Sequence, residues 1–129
     1  MHSTGKGRAG EQRAALALEE AGMRILASNF RSPRGEVDLI ARDGETLVFI
    51  EVKTWSSRGL ADLEYGIGQE KQRRIIETAK YFLAVHREYN EMAIRFDVVF
   101  IGKAPPSSVA VPLVNPAICH LASAFMECV

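Results

Sequence analysis

Two runs of alternating apolar residues, 36–42 and 45–54, are separated by the dipeptide Asp43-Gly44. An Asp-Gly step in that setting is the strongest short-range signal for a β-hairpin, because the tight turn needs a positive φ that glycine adopts without steric cost. The chain must therefore build a sheet around this antiparallel pair and cover its apolar faces. Spacing at Glu11, Ala14, Ala15, Leu18 and Ala21 predicts a helix over 7–21, ended by Gly22 in a left-handed cap. A longer amphipathic helix is expected over 67–86, with Ile75, Ile76, Ala79, Phe82 and Leu83 inward. Further strands are expected over 23–30 and 94–101, loops over 56–65 and 102–108, and a short helix within 115–125 with Pro116 in its first turn. The order helix, three strands, helix, strand, short helix predicts an α/β (α+β) fold, a mixed sheet flanked by helices.

With 129 residues the chain has a length that one hydrophobic core supports, so a single domain over 1–129 is expected. No window approaches a membrane span, and the first residues lack the apolar stretch of a secretory signal, which makes a cytoplasmic location the expectation. Cys119 and Cys128 form neither a disulfide framework nor a four-cysteine zinc site. Gly7 and Gly10 fit no phosphate-binding loop, since no strand precedes them and no Lys-Ser/Thr pair follows.

Sixteen Lys and Arg balance sixteen Asp and Glu, so no whole-molecule field draws the chain to nucleic acid. The distribution is more telling. Residues 1–35 carry six basic and three acidic groups, 36–52 one and five, and 53–80 six and four, which places one acidic block between two basic ones.

That acidic block carries the chemistry. Alternation along a strand puts Glu51 and Lys53 on one face. If Asp43-Gly44 is the two-residue turn, Arg42 faces Glu45, Asp38 lies opposite Phe49 and diagonal to Glu51, and Glu36 lies directly opposite Glu51. Diagonal neighbours are roughly 7–8 Å apart, close enough for two carboxylates to grip one cation. Such like charges oppose folding unless neutralised, and Mg2+ (or Mn2+) neutralises them while keeping water and binding phosphate. Lys53 could orient a water or stabilise charge on phosphorus. Glu11, on the apolar face of the first helix, is expected to project toward the same cluster. The plainer alternative is a solvated face of surface ion pairs, worth about 0–1 kcal/mol each, and a β-bulge would shift the register altogether.

Gly35-Glu36-Val37-Asp38-Leu39-Ile40-Ala41 followed by Phe49-Ile50-Glu51-Val52-Lys53 resembles the acidic-x(n)-Glu-x-Lys signature of the PD-(D/E)xK nuclease superfamily. More narrowly, the chain resembles the YraN-like (UPF0102) family, related to Holliday-junction resolvases of the archaeal type. The resemblance runs through Gly7-x-x-Gly10-Glu11, Asn29-Phe30-Arg31, Lys71-Gln72, Arg95-Phe96-Asp97-Val98, Ile118-x-His120 and Ala124-Phe125. It implies a restriction-endonuclease-like core and a metal-dependent endonuclease acting on structured or branched DNA in repair or recombination. It also implies that Asp38 and Glu51 hold the metal, with the Val52 carbonyl as a further ligand, Lys53 as the catalytic lysine, Glu11 as an additional helix acid and Gln72 turned toward the site. Resolvase relatives are dimers, so a homodimer and repair or recombination partners are implied too. The family commonly shows a basic residue two positions after the lysine, where Trp55 stands here; Trp55 offers a base a stacking partner worth about 1–3 kcal/mol. A non-catalytic module of the same fold, binding nucleic acid or a protein partner, is the rival reading.

Arg31, Arg34, Lys71 and Arg74 flank the acidic block as a basic rim suited to a polyanion, and surface solvation is their plainer role. Gln72 reads equally as an ordinary helix-surface residue. Asp97 is expected on the solvent-leaning side of its strand in an ion pair, with Arg95 or an arginine of the second helix, and His120 as a capping or packing residue.

Overall fold

The computed structural model describes residues 5–54, 68–102 and 118–125. Helix α1 (Gly5–Glu20) leads into β1 (Arg24–Ser32), β2 (Gly35–Asp43) and β3 (Thr46–Thr54). Helix α2 (Gln69–Val85) and a 3-10 turn (Arg87–Tyr89) precede β4 (Ala93–Ile101) and β5 (Ile118–Phe125). The sheet runs β1-β2-β3-β4-β5 and is mixed: β3 and β4 are parallel and the other neighbours antiparallel. Parallel neighbours need a long crossover, and α2 lies within it. No helix among the described residues is long and apolar enough to cross a membrane.

Each helix buries one face of the sheet. Ala14 and Leu18 of α1 pack with Leu39, Ala41, Val48, Ile50, Val99 and Ile101, whereas Ile75, Ala79 and Phe82 of α2 pack with Val37, Ile40, Leu47, Phe49 and Phe96. The alternation of β3 is regular, with Leu47 and Phe49 toward α2 and Val48 and Ile50 toward α1. That of β2 is not. Val37 joins the α2 cluster and Leu39 the α1 cluster, although strand residues two apart should share a face, so the alternation breaks at Asp38.

Gly22 caps α1 as expected, at φ 103°, with Met23 N–H bonded to Leu18 C=O and Gly22 N–H to Glu19 C=O. The hairpin also forms, but its turn is Gly44-Glu45: Asp43 pairs with Thr46 and Arg42 with Leu47. Gly44 alone takes positive φ there (62°), the pattern in which glycine fills the first central position and the second residue keeps an ordinary φ. The last pair is Leu39↔Ile50, so Asp38 and Glu51, the next residue on each strand, come to lie directly across from one another rather than diagonally, and the ladder ends before Glu36.

The segment expected to hold a terminal helix is instead β5, paired antiparallel with β4. Its alanines favour a helix, but such propensity is readily overridden by tertiary context, and β4, buried from Phe96 to Ile101, would otherwise leave an open edge on its outer side. Tertiary pairing decides the matter. Pro116, the loop expected over 56–65 and, beyond Gly102, the loop expected over 102–108 lie outside the described residues.

The β1–β2 turn is fastened to α2. Ser32 Oγ lies 3.0 Å from Thr78 Oγ1 and accepts the Gly35 N–H, and Thr78 donates to Arg74 C=O at 2.8 Å. A Cβ at Gly35 would stand 3.2 Å from Arg74 Cβ and 3.6 Å from Arg74 C=O. Gly35→Val is accordingly expected to cost about 1–3 kcal/mol by overpacking, read as a lower urea midpoint at an unchanged m-value.

Candidate active site

Where the β2–β3 ladder ends, Asp38 Oδ2 accepts the Val52 N–H at 2.8 Å. The carboxylate thus takes a backbone donor at the point where β2 breaks its alternation. Glu51, only 6% exposed, hydrogen-bonds Asp38, and its Oε2 lies 3.0 Å from Lys71 Nζ. From α1, Glu11 hydrogen-bonds both Asp38 and the Asn29 side chain. Three acids from three elements are therefore linked through Asp38.

Burial, and then the charge of Glu51, push the Asp38 carboxyl up to about 7, with the Val52 N–H pulling the other way. Burial and Asp38 likewise raise Glu11, against a lowering hydrogen bond from Asn29. Burial opposes the charge of Lys71, but Glu51, Asp38 and Glu36 outweigh it and hold the ammonium above its ordinary value. Near neutral pH the Asp38 carboxyl is therefore only partly charged, and Lys71 compensates Glu51.

A stability signature follows from Asp38. Its folded carboxyl holds a proton more tightly than the unfolded one, whose ordinary value is near 3.8, so the folded state binds the extra proton between about 4 and about 7. Stability should fall as pH rises through that window. Thermal melts from pH 4.5 to 7.5 are expected to show this slope in the wild type and a flatter profile in Asp38→Asn.

The remaining expected residues distribute around this centre. Lys53, half-buried, follows Glu51 by two positions and shares its face, the α2 side; Gln72, half-buried, adjoins Lys71 in the first turn of α2. The Val52 side chain packs with the α1 cluster. Arg31 is exposed and paired to Glu36 at 3.6 Å, Arg74 pairs with Glu70 at 3.4 Å, and Arg34 is exposed in the β1–β2 turn. Lys71, expected on the phosphate rim, instead reaches into the acid cluster. Trp55 lies outside the described residues.

Among the described residues no three His, Cys, Asp or Glu side chains form a set that could hold a metal by themselves. The fit is to a smaller demand. Mg2+ takes one or two carboxylates and retains water, and half-buried Asp38 stands beside buried Glu51, whose charge raises the cost of ionising Asp38. Glu11 Oε1 beside them is a buried acceptor with no partner among the described residues.

Sequence reasoning assigned no role to Asn29, which adopts φ 53° within β1, although an asparagine inside an apolar strand run is itself out of place. Asp97 is also misplaced by it: rather than leaning to solvent, it is fully buried, bonded by Arg95 at 2.9 and 3.0 Å, His120 Nε2 at 2.7 Å and the Ser123 N–H at 2.9 Å. The expected pairing to Arg95 holds. This network ties β4 to β5 through an irregularity between Phe96 and Val98, and Ser123 turns its N–H inward at φ 53°.

The family model described as "Uncharacterised protein family UPF0102" matches residues 10–101. The chain belongs to the UPF0102 family. It is 43% identical over 128 residues to a UPF0102 protein of Treponema pallidum (strain Nichols), covering 99% of this chain and 98% of the relative. It is 45% identical over 129 residues to one of Treponema denticola, covering 95% of each, and 46% identical over 101 residues to one of Syntrophus aciditrophicus, covering 77% of each. The stretch matched to the UPF0102 family contains Glu11, Asn29, Asp38, Glu51, Lys53, Lys71 and Gln72, so the whole acid cluster lies within the family's defining region.

Proposed function

We propose that this UPF0102 protein is a Mg2+- or Mn2+-dependent endonuclease of PD-(D/E)xK type, hydrolysing phosphodiester bonds in structured or branched DNA during repair or recombination. The observation that carries the reading is the pair of adjoining carboxyls Asp38, half-buried, and Glu51, buried, with Lys53 two residues along the face of Glu51. Burying two like charges together opposes folding, and a divalent cation is the ligand that would relieve it.

Asp38 and Glu51 would hold the cation, with Glu11 and the Val52 carbonyl contributing. When bound, the cation supplies Lewis-acid polarisation of the phosphodiester. Lys53 orients the attacking water and stabilises charge developing on phosphorus. Gln72 faces the substrate beside it. Arg31, Arg34 and Arg74 take backbone phosphates, Trp55 stacks on a base, and Lys71, beside Glu51, would serve as a further phosphate contact. A homodimer would present two such sites to a branched substrate, alone or with repair or recombination proteins.

Lys53→Ala tests the assignment. Cleavage of DNA is expected to fall by about 10²–10³-fold, the scale of losing one charge-stabilising donor, while Mn2+ binding by calorimetry stays within a few-fold of wild type. Equal cleavage by the variant would remove Lys53 from the mechanism. The zero net charge favours a second reading, a non-catalytic module of the same fold that binds branched nucleic acid or a protein partner. Retardation of branched DNA without cutting by the wild type would favour it.

A further inference from the structure

Asn29 stands between the pairs Ser28↔Leu39 and Phe30↔Val37, across the strands from Asp38. At φ 53° it occupies the left-handed region that L residues rarely adopt, and asparagine is among the few that tolerate it. That backbone lies within a strand rather than at a turn, so it serves no reversal of the chain. Its effect falls on the side chain. The amide donates to the Glu11 carboxylate, and the other end of the same amide, Oδ1, is buried without a partner among the described residues, as is Glu11 Oε1. With these two buried oxygens unpartnered, the Asn29–Glu11 contact is satisfied on one side alone. Buried acceptors are rarely left so in native proteins unless a donor or cation completes them.

We infer that Asn29 is a positioning residue: its amide holds the Glu11 carboxylate against the Asp38–Glu51 pair, and the left-handed backbone at Asn29 brings the amide there. The inference rests on the proposed metal-dependent reading and adds to it a residue acting through Glu11. Outer-shell partners that orient a metal-binding side chain typically contribute about 10–100-fold to affinity.

Mn2+ binding by the full chain, followed by electron paramagnetic resonance, tests it through a double-mutant cycle. Asn29→Gly keeps the left-handed backbone accessible while removing the amide, and a melting curve close to wild type would show that the sheet survives. Asn29→Gly is expected to weaken Mn2+ binding by about 10–100-fold, and to cause no further loss in a Glu11→Ala background. Unchanged affinity in the single variant, or an equal further loss in the Glu11→Ala background, would overturn the role of Asn29. Absence of Mn2+ binding by the wild type would overturn the metal reading and this inference with it, an outcome distinct from the other two.

Discussion

Glu51→Gln is expected to abolish metal binding while leaving the fold intact or more stable. Glutamine keeps the shape of the side chain but removes the charge that, after burial, does most to push Asp38 upward. Repulsion within the pair disappears, and Lys71, which loses its partner at 3.0 Å, is half-exposed and returns to water at small cost. Even outer-shell partners of metal ligands contribute about 10–100-fold, so losing this carboxylate should weaken Mn2+ binding by more than about 100-fold. The melting temperature should hold or rise, because the site stores unfavourable electrostatics for function rather than stability. Calorimetric titration with Mn2+ beside a thermal melt checks both halves, and wild-type affinity in the variant would remove Glu51 from the ligand set.

The opposite balance holds at Asp97. Burial works to raise its carboxyl, but hydrogen bonds from His120, Arg95 and the Ser123 N–H outweigh it and hold the group below its ordinary value. Its contribution is therefore present above about pH 4 and lost as pH falls through the lowered folded value. Asp97→Ala leaves the Arg95 guanidinium with Asp43 alone, at 3.1 Å, and unfastens β5, and breaking a buried charge pair costs about 3–5 kcal/mol. Against total stabilities of about 5–15 kcal/mol, the melting temperature should fall on the order of 10 °C or more. A shift of only a degree or two would mean that β5 is held by its backbone pairing alone. The acid windows separate the two residues: stability falls with rising pH between about 4 and 7 through Asp38, and with falling pH below that range through Asp97.

Local chemistry made most of the framework legible. The glycine at 44 announced the hairpin, Gly22 the end of α1, and the apolar stripe of Ile75, Ala79 and Phe82 the buried face of α2. The register differed by one residue on each strand, because an Asp-Gly pair admits two turns and only the requirement for positive φ chooses between them. The acids Asp38, Glu51 and Glu11 were readable as a group from spacing. Their direct opposition depended on the register that the Gly44-Glu45 turn sets, and the break in β2 at Asp38 is one that no periodic pattern encodes. β5 was unreadable as a strand because its partner edge on β4, not its own composition, makes it one. Asp97 looked solvent-facing for a related reason: alternation suggests an exposed side, whereas β4 is covered by α1 and enclosed by β5, and Arg95 of β4 with His120 and Ser123 of β5 bring the groups that neutralise the buried charge. Lys71 resembled one more basic rim residue until α2 carried it to Glu51.

The most direct measurement is cleavage of labelled four-way-junction, flapped, duplex and single-stranded DNA by the wild type in Mg2+ or Mn2+, alongside Glu51→Ala and a chelator control. Metal-dependent cutting of the branched substrates that disappears in the variant and on chelation is the expected result. No cleavage of any substrate by folded wild type, or full cleavage by Glu51→Ala, would contradict it.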